Sequence, residues 1–296
     1  MHDQMKPLGF GQITGIDILG ESRGVLPSTE WKRTTYKKPE QQRWYSGETI
    51  SLGIGQGYNS FTMLQVAHAM GTVANNGLKM KPHLVREVVD VETKASTFVA
   101  KEPVGQLPLT AENLEIIKKG MIGVNIEGTS ATSFVGAQYV SAGKTGTAQV
   151  FTVKQNEKYN AATIDERMRD HALFVAFAPA DDPKVALAMV VENAGFGAQN
   201  AAPIARRVFD FVIMGQYPSQ EDIEAVQKGQ ATRPIGKPRT VASVPWPPKA
   251  AELAVEEPIA AASAAAAAAK AASAAVKAAS AGTTAAAQKP AASAAR

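Results

Sequence analysis

Two apolar segments, 171–178 and 184–191, constrain the fold more than any other feature of the chain. Each has the length and composition of a buried strand, and Ala180-Asp181-Asp182-Pro183 between them favours a turn. The pair therefore predicts an antiparallel hairpin. A further strand is predicted around Lys144, where small and apolar residues flank a Lys-Thr-Gly triplet. The sequence thus predicts an α/β (α+β) fold in which an antiparallel sheet is packed with helices.

Apolar residues at helical spacing predict three helices around this sheet. The first has Ser60 as its N-cap and runs to about Asn75, with Gly77 as its left-handed stop. The second begins after Thr110, and the last spans 202–214. The residues that we expect the last helix to turn inward are Ile204, Val208, Phe211 and Val212.

The remaining segments are shorter or more polar. Residues 13–19 predict a short extended run, and 20–49, rich in glycine, proline and charge, predict a loop. Residues 83–91 and 96–99 alternate in the manner of strands. The polar stretch 152–170 predicts a loop or an insertion.

Three parts of the chain differ in composition. Residues 1–217 hold the predicted helices and strands, whereas 218–258 are polar and proline-rich and predict a linker. Residues 259–296 are dominated by alanine and predict a low-complexity tail that is disordered or transiently helical. The tail has no acid, and its four cations equal the +4 charge of the whole chain, so the basic balance is not evidence for a basic face on the body. These cations are Lys270, Lys277, Lys289 and Arg296.

Several classes of chemistry are not predicted. The chain has no cysteine, which excludes disulfides and thiolate metal sites. The four histidines, His2, His68, His83 and His171, have no partner at metal-ligand spacing, so we predict no metal and no cofactor. The sequence shows no apolar signal core at its start and no membrane-spanning run, so we expect no export or anchoring segment within it.

Three short patterns imitate known motifs, but their context argues against each. Residues 20–24 match the Gly-x-Ser-x-Gly nucleophile elbow around Ser22, yet Val25-Leu26-Pro27 follows where that motif needs a helix, so we expect a surface turn. Residues 143–145 resemble the end of a phosphate loop. That motif needs a glycine where this chain has Gln138, so we do not predict a phosphate loop. Ser141-x-x-Lys144 has the spacing of a catalytic serine–lysine pair, but on a strand these side chains point to opposite faces.

The Lys-Thr-Gly triplet and the threonine after it have residue types that suit acyl transfer. A strand at the edge of a site supplies backbone N–H groups to an oxyanion hole. Gly146 lets a substrate approach the backbone, the hydroxyls of Thr145 and Thr147 can bind a carboxylate, and Lys144 adds a positive charge. Without context, the alternative is an exposed turn.

With its context, the triplet resembles the third motif of the class B penicillin-binding proteins, specifically of the elongation-type peptidoglycan transpeptidases. The resemblance covers roughly residues 4–216. The segments that carry it are Thr14-Gly15-Ile16-Asp17, Ser51-Leu52-Gly53-Ile54-Gly55-Gln56-Gly57, Leu64-Gln65 with Ala67 and Ala69, Ala74-Asn75-Asn76-Gly77, Glu127-Gly128-Thr129, Lys144-Thr145-Gly146-Thr147-Ala148, Asp170-His171 through Phe177-Ala178-Pro179, and Glu192-Asn193.

This resemblance implies a partial transpeptidase domain of the penicillin-binding-protein and serine β-lactamase type. In the family, the nucleophile of Ser-x-x-Lys and the Ser-x-Asn motif precede the segment similar to 13–19; this chain has no acceptable Ser-x-x-Lys and no Ser-x-Asn. The resemblance implies Lys144, Thr145, Gly146 and Thr147 as substrate-binding residues, with the backbone N–H of Thr147 as an oxyanion donor. We therefore expect the C-terminal part of such a domain, with no complete catalytic set and no acylation by this chain alone.

The resemblance also implies ligands, partners and a location. The implied ligands are peptidoglycan stem peptides and β-lactams. For the intact protein, the implied partners are the membrane proteins of the elongation complex, and the implied location is the periplasmic face of the bacterial inner membrane. We expect no nucleic acid as a partner, although the cations of the tail would be weakly attracted to nucleic-acid phosphates. A truncated gene product and a non-catalytic penicillin-binding-like interaction module are the alternatives. We further expect that missing upstream helices leave an apolar sheet face bare.

Overall fold

The computed structural model of the protein describes residues 1–151, 159–160, 163–230 and 232–244. The predicted tail, 259–296, lies outside the described residues, as do 245–258 and part of the predicted loop 152–170. The chain divides into two units, Met1–Thr240 and Val241–Arg296. In the second unit, the described residues form one short 3-10 turn, Val241–Ser243.

The elements of the first unit follow in chain order. The helices are α1 (His2–Met5), α2 (Thr29–Thr35), α3 (Pro39–Gln42), α4 (Ser46–Gly53), α5 (Met63–Ala74), α6 (Ala111–Ile126), α7 (Ala131–Phe134), α8 (Gly197–Asn200), α9 (Ala202–Met214) and α10 (Gln220–Gln227). The strands are β1 (Leu78–Met80), β2 (Glu87–Val89), β3 (Ser96–Phe98), β4 (Pro103–Gln106), β5 (Ala142–Ala148), β6 (His171–Ala178), β7 (Val185–Val191), β8 (Gln216–Tyr217) and β9 (Arg239–Thr240). Short 3-10 turns lie at Lys6–Leu8 and Glu166–Met168.

The central sheet has the order β5-β6-β7 and is antiparallel throughout. Lys144 of β5 lies opposite Val175 of β6, and Gly146 lies opposite Leu173. The hairpin of β6 and β7 begins and ends within one residue of the two apolar segments. The predicted hairpin and the predicted strand around Lys144 are therefore confirmed, because long apolar runs joined by a turn sequence have few other ways to be buried.

Helices cover both faces of this sheet. On one face, Phe134 of α7 and Phe209 of α9 pack with Phe174 of β6 in a buried cluster. On the other face, Ala74 of α5 packs with Ala142 and Phe177. The expectation of a bare sheet face is wrong for the described sheet, since α5 and α6 fill the face opposite α9.

The inward face predicted for the last helix is wrong, although its bounds are confirmed. The predicted residues Ile204, Val208, Phe211 and Val212 are 37–51 % exposed. The buried residues of α9 are Ala202, Pro203, Ala205, Arg206 and Phe209. Small side chains let this helix approach the sheet closely, and buried Arg206 is satisfied by Asp210 and by the carbonyls of Ser133 and Val135. Periodicity of large apolar residues misses a contact face of this composition. The large apolar residues of α9 are therefore among the exposed hydrophobic side chains of the domain.

The N-terminal part is more helical than predicted. The segment 20–49 contains α2, α3 and the start of α4 instead of a loop, and 13–19 forms no strand. The N-cap of α5 is Thr62 rather than Ser60: the Thr62 hydroxyl accepts from the Gln65 backbone, and the Gln65 side chain accepts from Thr62 in return. This capping box satisfies two N–H groups, which a lone Ser60 cap would not.

Beyond α9, the structure differs from the proline-rich linker predicted for 218–258. The ladder of β8 and β9 and helix α10 lie within 216–240. The buried carboxylate of Asp222 accepts from Arg207 of α9, with Oδ2 2.8 Å from Nε and Oδ1 2.6 Å from Nη2. Ser219 caps α10 by accepting from the Asp222 backbone at 3.0 Å. These bonds attach α10 to the domain.

Candidate functional site

The free edge of β5 carries the candidate site. Within the described residues, β5 pairs with β6 on one side and with no strand on the other. The carbonyls of Thr145 and Thr147 accept from side chains rather than from β6: Lys144 Nζ and Gln56 Nε2 lie at 2.8 Å each. Since the N–H and C=O of one residue in an antiparallel strand point to the same side, the N–H groups of these threonines also face the free edge. An extended peptide can add to such an edge as a further strand.

The side chains at this edge offer a cation and hydroxyls. Lys144 is exposed, so its ammonium is available to an anionic ligand. The hydroxyl of Thr145 lies 2.9 Å from that of Thr129, which follows α6. Gly128 permits the turn that delivers Thr129, because a Cβ there would lie 2.7 Å from Cα of Val124. Thr129 therefore orients the Thr145 hydroxyl, a contact that the sequence did not reveal.

Packing leaves little room for a side chain at Gly146. Gly197, at the start of α8, approaches the backbone of β5 and β6 directly. A Cβ on Gly197 would lie 2.1 Å from Leu173 O and 2.6 Å from Gly146 O. On Gly146, a Cβ would meet Leu173 at 3.2 Å. The packing against α8 thus supports the middle of β5 from one face.

The surroundings of Ser141 do not suit a nucleophile. It is buried, and its hydroxyl accepts from Asn125 Nδ2 at 2.8 Å. Ser130 donates to Asn125 Oδ1 at 2.6 Å and completes the network. Because Ser141 is buried in this network while Lys144 is exposed, the two do not form a catalytic pair.

Ser22 also lies outside any nucleophile elbow. Its hydroxyl accepts from the Gly24 backbone at 3.4 Å, and the next helix begins only at Thr29. Ser22 is exposed in an irregular segment that directly follows a turn at Leu19-Gly20. No helix N-terminus is present there to hold an oxyanion.

Two motifs of the N-terminal part act as anchors. The carboxylate of Asp17 accepts from the backbone N–H groups of Leu84 and Val85, at 2.7 and 2.9 Å, and these bonds lower its pKa. The buried side chain of Gln65 donates to Gln12 O and Arg23 O, at 2.6 and 2.8 Å. These contacts explain why polar residues occupy the positions: each ties distant backbone segments together.

A buried lysine lies in an aromatic cage next to the glycine-rich segment. Lys32 forms an ion pair with Glu48, and its ammonium lies 5.3 Å from the ring centre of Tyr45 and 5.5 Å from that of Tyr58. Trp44 contributes a third ring. Tyr58 donates to Glu48 Oε1 at 2.9 Å. The sequence did not predict the cage, because its members come from two helices, α2 and α4, and from the loops before and after α4.

The ion pair shifts the pKa of both partners. Burial raises the pKa of Glu48, but the hydrogen bond from Lys32 and further hydrogen bonds outweigh it, so the pKa lies below its ordinary 4.5. Burial lowers the pKa of Lys32, but the bond to Glu48 and the neighbouring charges outweigh it, so the pKa lies above 10.5. Both groups are therefore charged at neutral pH, as a buried pair requires.

A cavity of about 490 Å³ lies against Thr147, at the end of β5. Its lining includes Asp170, Glu192, Asn193 and Phe196. Asn193, at φ +57°, donates its backbone N–H to His171 Nδ1 at 2.9 Å. His171 thus accepts from the backbone, which is a structural role. The cavity therefore lies beside the last residues of β5, between them and the segment that leads into α8.

Metal and membrane features are absent from the residues that the structure describes. There, no group of three or more His, Cys, Asp or Glu residues is arranged to hold a metal ion. In the same residues, no helix combines the length and the apolar composition needed to cross a bilayer.

The fold and the edge of β5 define a class of protein. Residues 1–210 match the penicillin binding protein transpeptidase domain, and the chain belongs to this family. Among curated proteins, it is 43 % identical over 219 residues to the peptidoglycan D,D-transpeptidase MrdA of Haemophilus influenzae and 40 % identical over 218 residues to MrdA of Escherichia coli K12. Each match covers 73 % of this chain and 33 % of the relative. The chain spans about a third of the length of these relatives.

Solved structures show the same likeness. Pseudomonas aeruginosa PBP2 in complex with WCK 5153 matches with a TM-score of 0.57 and 36 % identity, over 72 % of this chain and 43 % of that one. A complex between PBP2 and MreC from Helicobacter pylori matches with a TM-score of 0.56 and 27 % identity, over 72 % and 36 %. The family resemblance and the mixed helix and antiparallel-sheet fold are therefore confirmed.

Proposed function

We propose that this chain contributes the substrate-binding strand of a peptidoglycan D,D-transpeptidase. The observation that carries the proposal is the free edge of β5, where the backbone groups of Thr145 and Thr147 face outward beside the exposed Lys144. The D-alanyl-D-alanine end of a stem peptide, or a β-lactam that mimics it, would lie along this edge. Its carboxylate would contact Lys144 and Thr145, and the Thr147 N–H would donate to the developing oxyanion.

In the proposed reaction, a serine nucleophile takes the acyl group of one stem peptide and forms an acyl-enzyme. An amine from a neighbouring peptidoglycan chain then attacks this acyl-enzyme and releases the serine. This sequence has no acceptable Ser-x-x-Lys, and Ser141, the residue with that spacing, is buried in a hydrogen-bond network. Since nucleophile and base act as a unit, we expect no covalent chemistry from this polypeptide alone. We expect reversible binding only.

Membrane partners and the location belong to the same proposal. The Helicobacter pylori relative forms a complex with MreC, which supports elongation-complex proteins as partners of the intact protein. Names of cell-wall enzymes among the relatives support the periplasmic face of the inner membrane as the place of action.

The first test uses fluorescent penicillin and the purified chain. After denaturing electrophoresis, we expect no labelled band at 31.2 kDa. A covalently labelled band would contradict the proposed inactivity. A catalytically complete relative labelled in parallel shows that the reagent is active.

The second test measures reversible binding of a peptide that ends in D-alanyl-D-alanine, followed by NMR titration. Lys144→Ala should weaken binding, because it removes the cation at the strand edge. The control is Lys184→Ala, an exposed lysine on the turn between β6 and β7 that pairs with Asp182. Equal binding by both variants would contradict the assigned role of Lys144.

A further inference from the structure

A glutamine side chain occupies the free edge of β5 at the position of the proposed oxyanion donor. Gln56 Nε2 donates to Thr147 O at 2.8 Å, and Gln56 Oε1 accepts from the Gln149 N–H at 3.3 Å. The amide of Gln56 thus makes the two bonds that a neighbouring strand would make there. Gln56 comes from the glycine-rich segment after α4, 91 residues away from Thr147 in sequence.

We propose that Gln56 is a positioning residue, which holds the end of β5 so that the Thr147 N–H faces the bound substrate. The inference rests on the proposed function, in which this N–H is an oxyanion donor. Gln56 does not itself touch the reacting atoms in this proposal. It acts through the backbone of Thr147.

The end of β5 needs such support. The ladder with β6 stops at Ala148 opposite His171, so Thr147 is the penultimate residue of the strand. Strand ends with a single neighbour open readily, and an open end would spread the directions in which the Thr147 N–H points. Binding of a developing charge benefits from donors that are fixed in advance. Gln56 replaces the missing neighbour at this point.

The segment that presents Gln56 is itself held in place. The Gln56 N–H donates to Ser51 O at 3.0 Å, and Asn59 Nδ2 donates to Gln56 O at 3.2 Å. Next to it, Tyr58 donates to Glu48, the partner of caged Lys32. We call the two hydrogen bonds from the Gln56 side chain to β5 the clamp. The clamp is therefore connected to a buried ion pair, and its geometry is set before any ligand binds.

A carboxamide is required because the clamp both donates and accepts. Gln56→Glu keeps an acceptor for the Gln149 N–H but has no donor for Thr147 O. Gln56→Ala removes both bonds. The control is Gln42→Glu, since Gln42 also donates from Nε2 to a backbone carbonyl, that of Tyr36, at 2.8 Å, but lies in α3.

The test combines three measurements on the whole chain and each variant: the Thr147 carbonyl ¹³C shift, amide exchange of Gln149, and NMR titration with the D-alanyl-D-alanine peptide. In Gln56→Glu we expect a changed Thr147 shift, retained Gln149 protection and about fivefold weaker binding, the factor for one lost hydrogen bond. Gln56→Ala should also lose the protection. Both should melt as Gln42→Glu does, and the control should bind as the unaltered chain does.

Each other outcome overturns the inference in a recognisable way. Binding that Gln56→Glu leaves unchanged would refute the positioning role while the proposed function stands. Weaker binding with a matching drop in the melting temperature would show a general structural role instead. If the unaltered chain does not bind the peptide, the proposed function fails, and the positioning role falls with it. An unchanged Thr147 shift in Gln56→Ala would refute the clamp itself.

Discussion

Replacing Gly197 with alanine should destabilise the domain through a single methyl group. Gly197 begins α8 and lies over the middle of β5 and β6, where its Cβ would be 2.1 Å from Leu173 O, 2.6 Å from Gly146 O and 3.1 Å from Gly146 N. Close carbon–oxygen contacts in proteins are about 3.3 Å. Helix α8 or the two strands must therefore move apart by roughly 1 Å, the difference between that separation and the distance to Leu173 O.

The magnitude follows from the kind of atoms that clash. All three are backbone atoms of a paired ladder, so no flexible side chain can give way. Overpacking of this sort costs about 1–3 kcal/mol, and the better helix propensity of alanine returns at most about 1 kcal/mol. We expect a net loss of about 2 kcal/mol, which is a drop of about 4–8 °C in the melting temperature for a domain of this size.

The assay is urea unfolding followed by circular dichroism, with Gly120→Ala as the matched control. Gly120 lies within α6, and a Cβ there meets nothing within 4 Å. This variant should gain about 0.5–1 kcal/mol from helix propensity alone. The two substitutions are chemically identical and should move stability in opposite directions. If Gly197→Ala unfolds at the same urea concentration as the unaltered chain, the argument from close approach is wrong.

Three further predictions concern charge and packing. Because the pKa of Glu48 is lowered, its stabilisation is present above pH 4.5 and lost as the pH falls below that value. The stability difference between the unaltered chain and Glu48→Gln, measured by urea unfolding, should therefore shrink from neutral to acid pH; a constant difference would contradict this. Asp222→Ala leaves Arg207 without its partner and should cost about 3–5 kcal/mol, with faster amide exchange in α10; intact protection of α10 would contradict its attachment by this pair. Phe209→Ala should cost about 3–5 kcal/mol because Phe209 is buried, whereas Phe211→Ala should have a far smaller effect on thermal unfolding; the reverse order would restore the inward face predicted from periodicity.

The elements that could be predicted are those whose signals are local. The strands of the central hairpin are long apolar runs, and each had to be buried whatever surrounded it. Helix α6 begins at Ala111, and the hydroxyl of its N-cap Thr110 accepts from Asn113 N at 3.2 Å, as a cap signal predicts. Lys144 could be singled out because its triplet combines a cation, a hydroxyl and a glycine within three residues.

Elements that depend on distant partners were not predictable. Helix α2 contains Lys32, a charged residue that is buried only because Glu48 and three aromatic rings surround it. The contact face of α9 has a single large apolar residue, Phe209, beside small residues and Arg206. An arginine becomes a core residue only when other groups satisfy its donors, here Asp210 and backbone carbonyls. Composition cannot show such compensation, since the compensating groups are far away in sequence.

The candidate site shows the same division. By itself, the sequence determined that a strand carries Lys144, Thr145, Gly146 and Thr147 and that no Ser-x-x-Lys pair is suitably placed, because both statements depend on neighbouring residues. Only the tertiary structure decided which edge of that strand is free, and that Gln56 holds its end. The physical reason is that strand neighbours and clamping side chains are chosen by packing across the whole domain, over separations that no local pattern records.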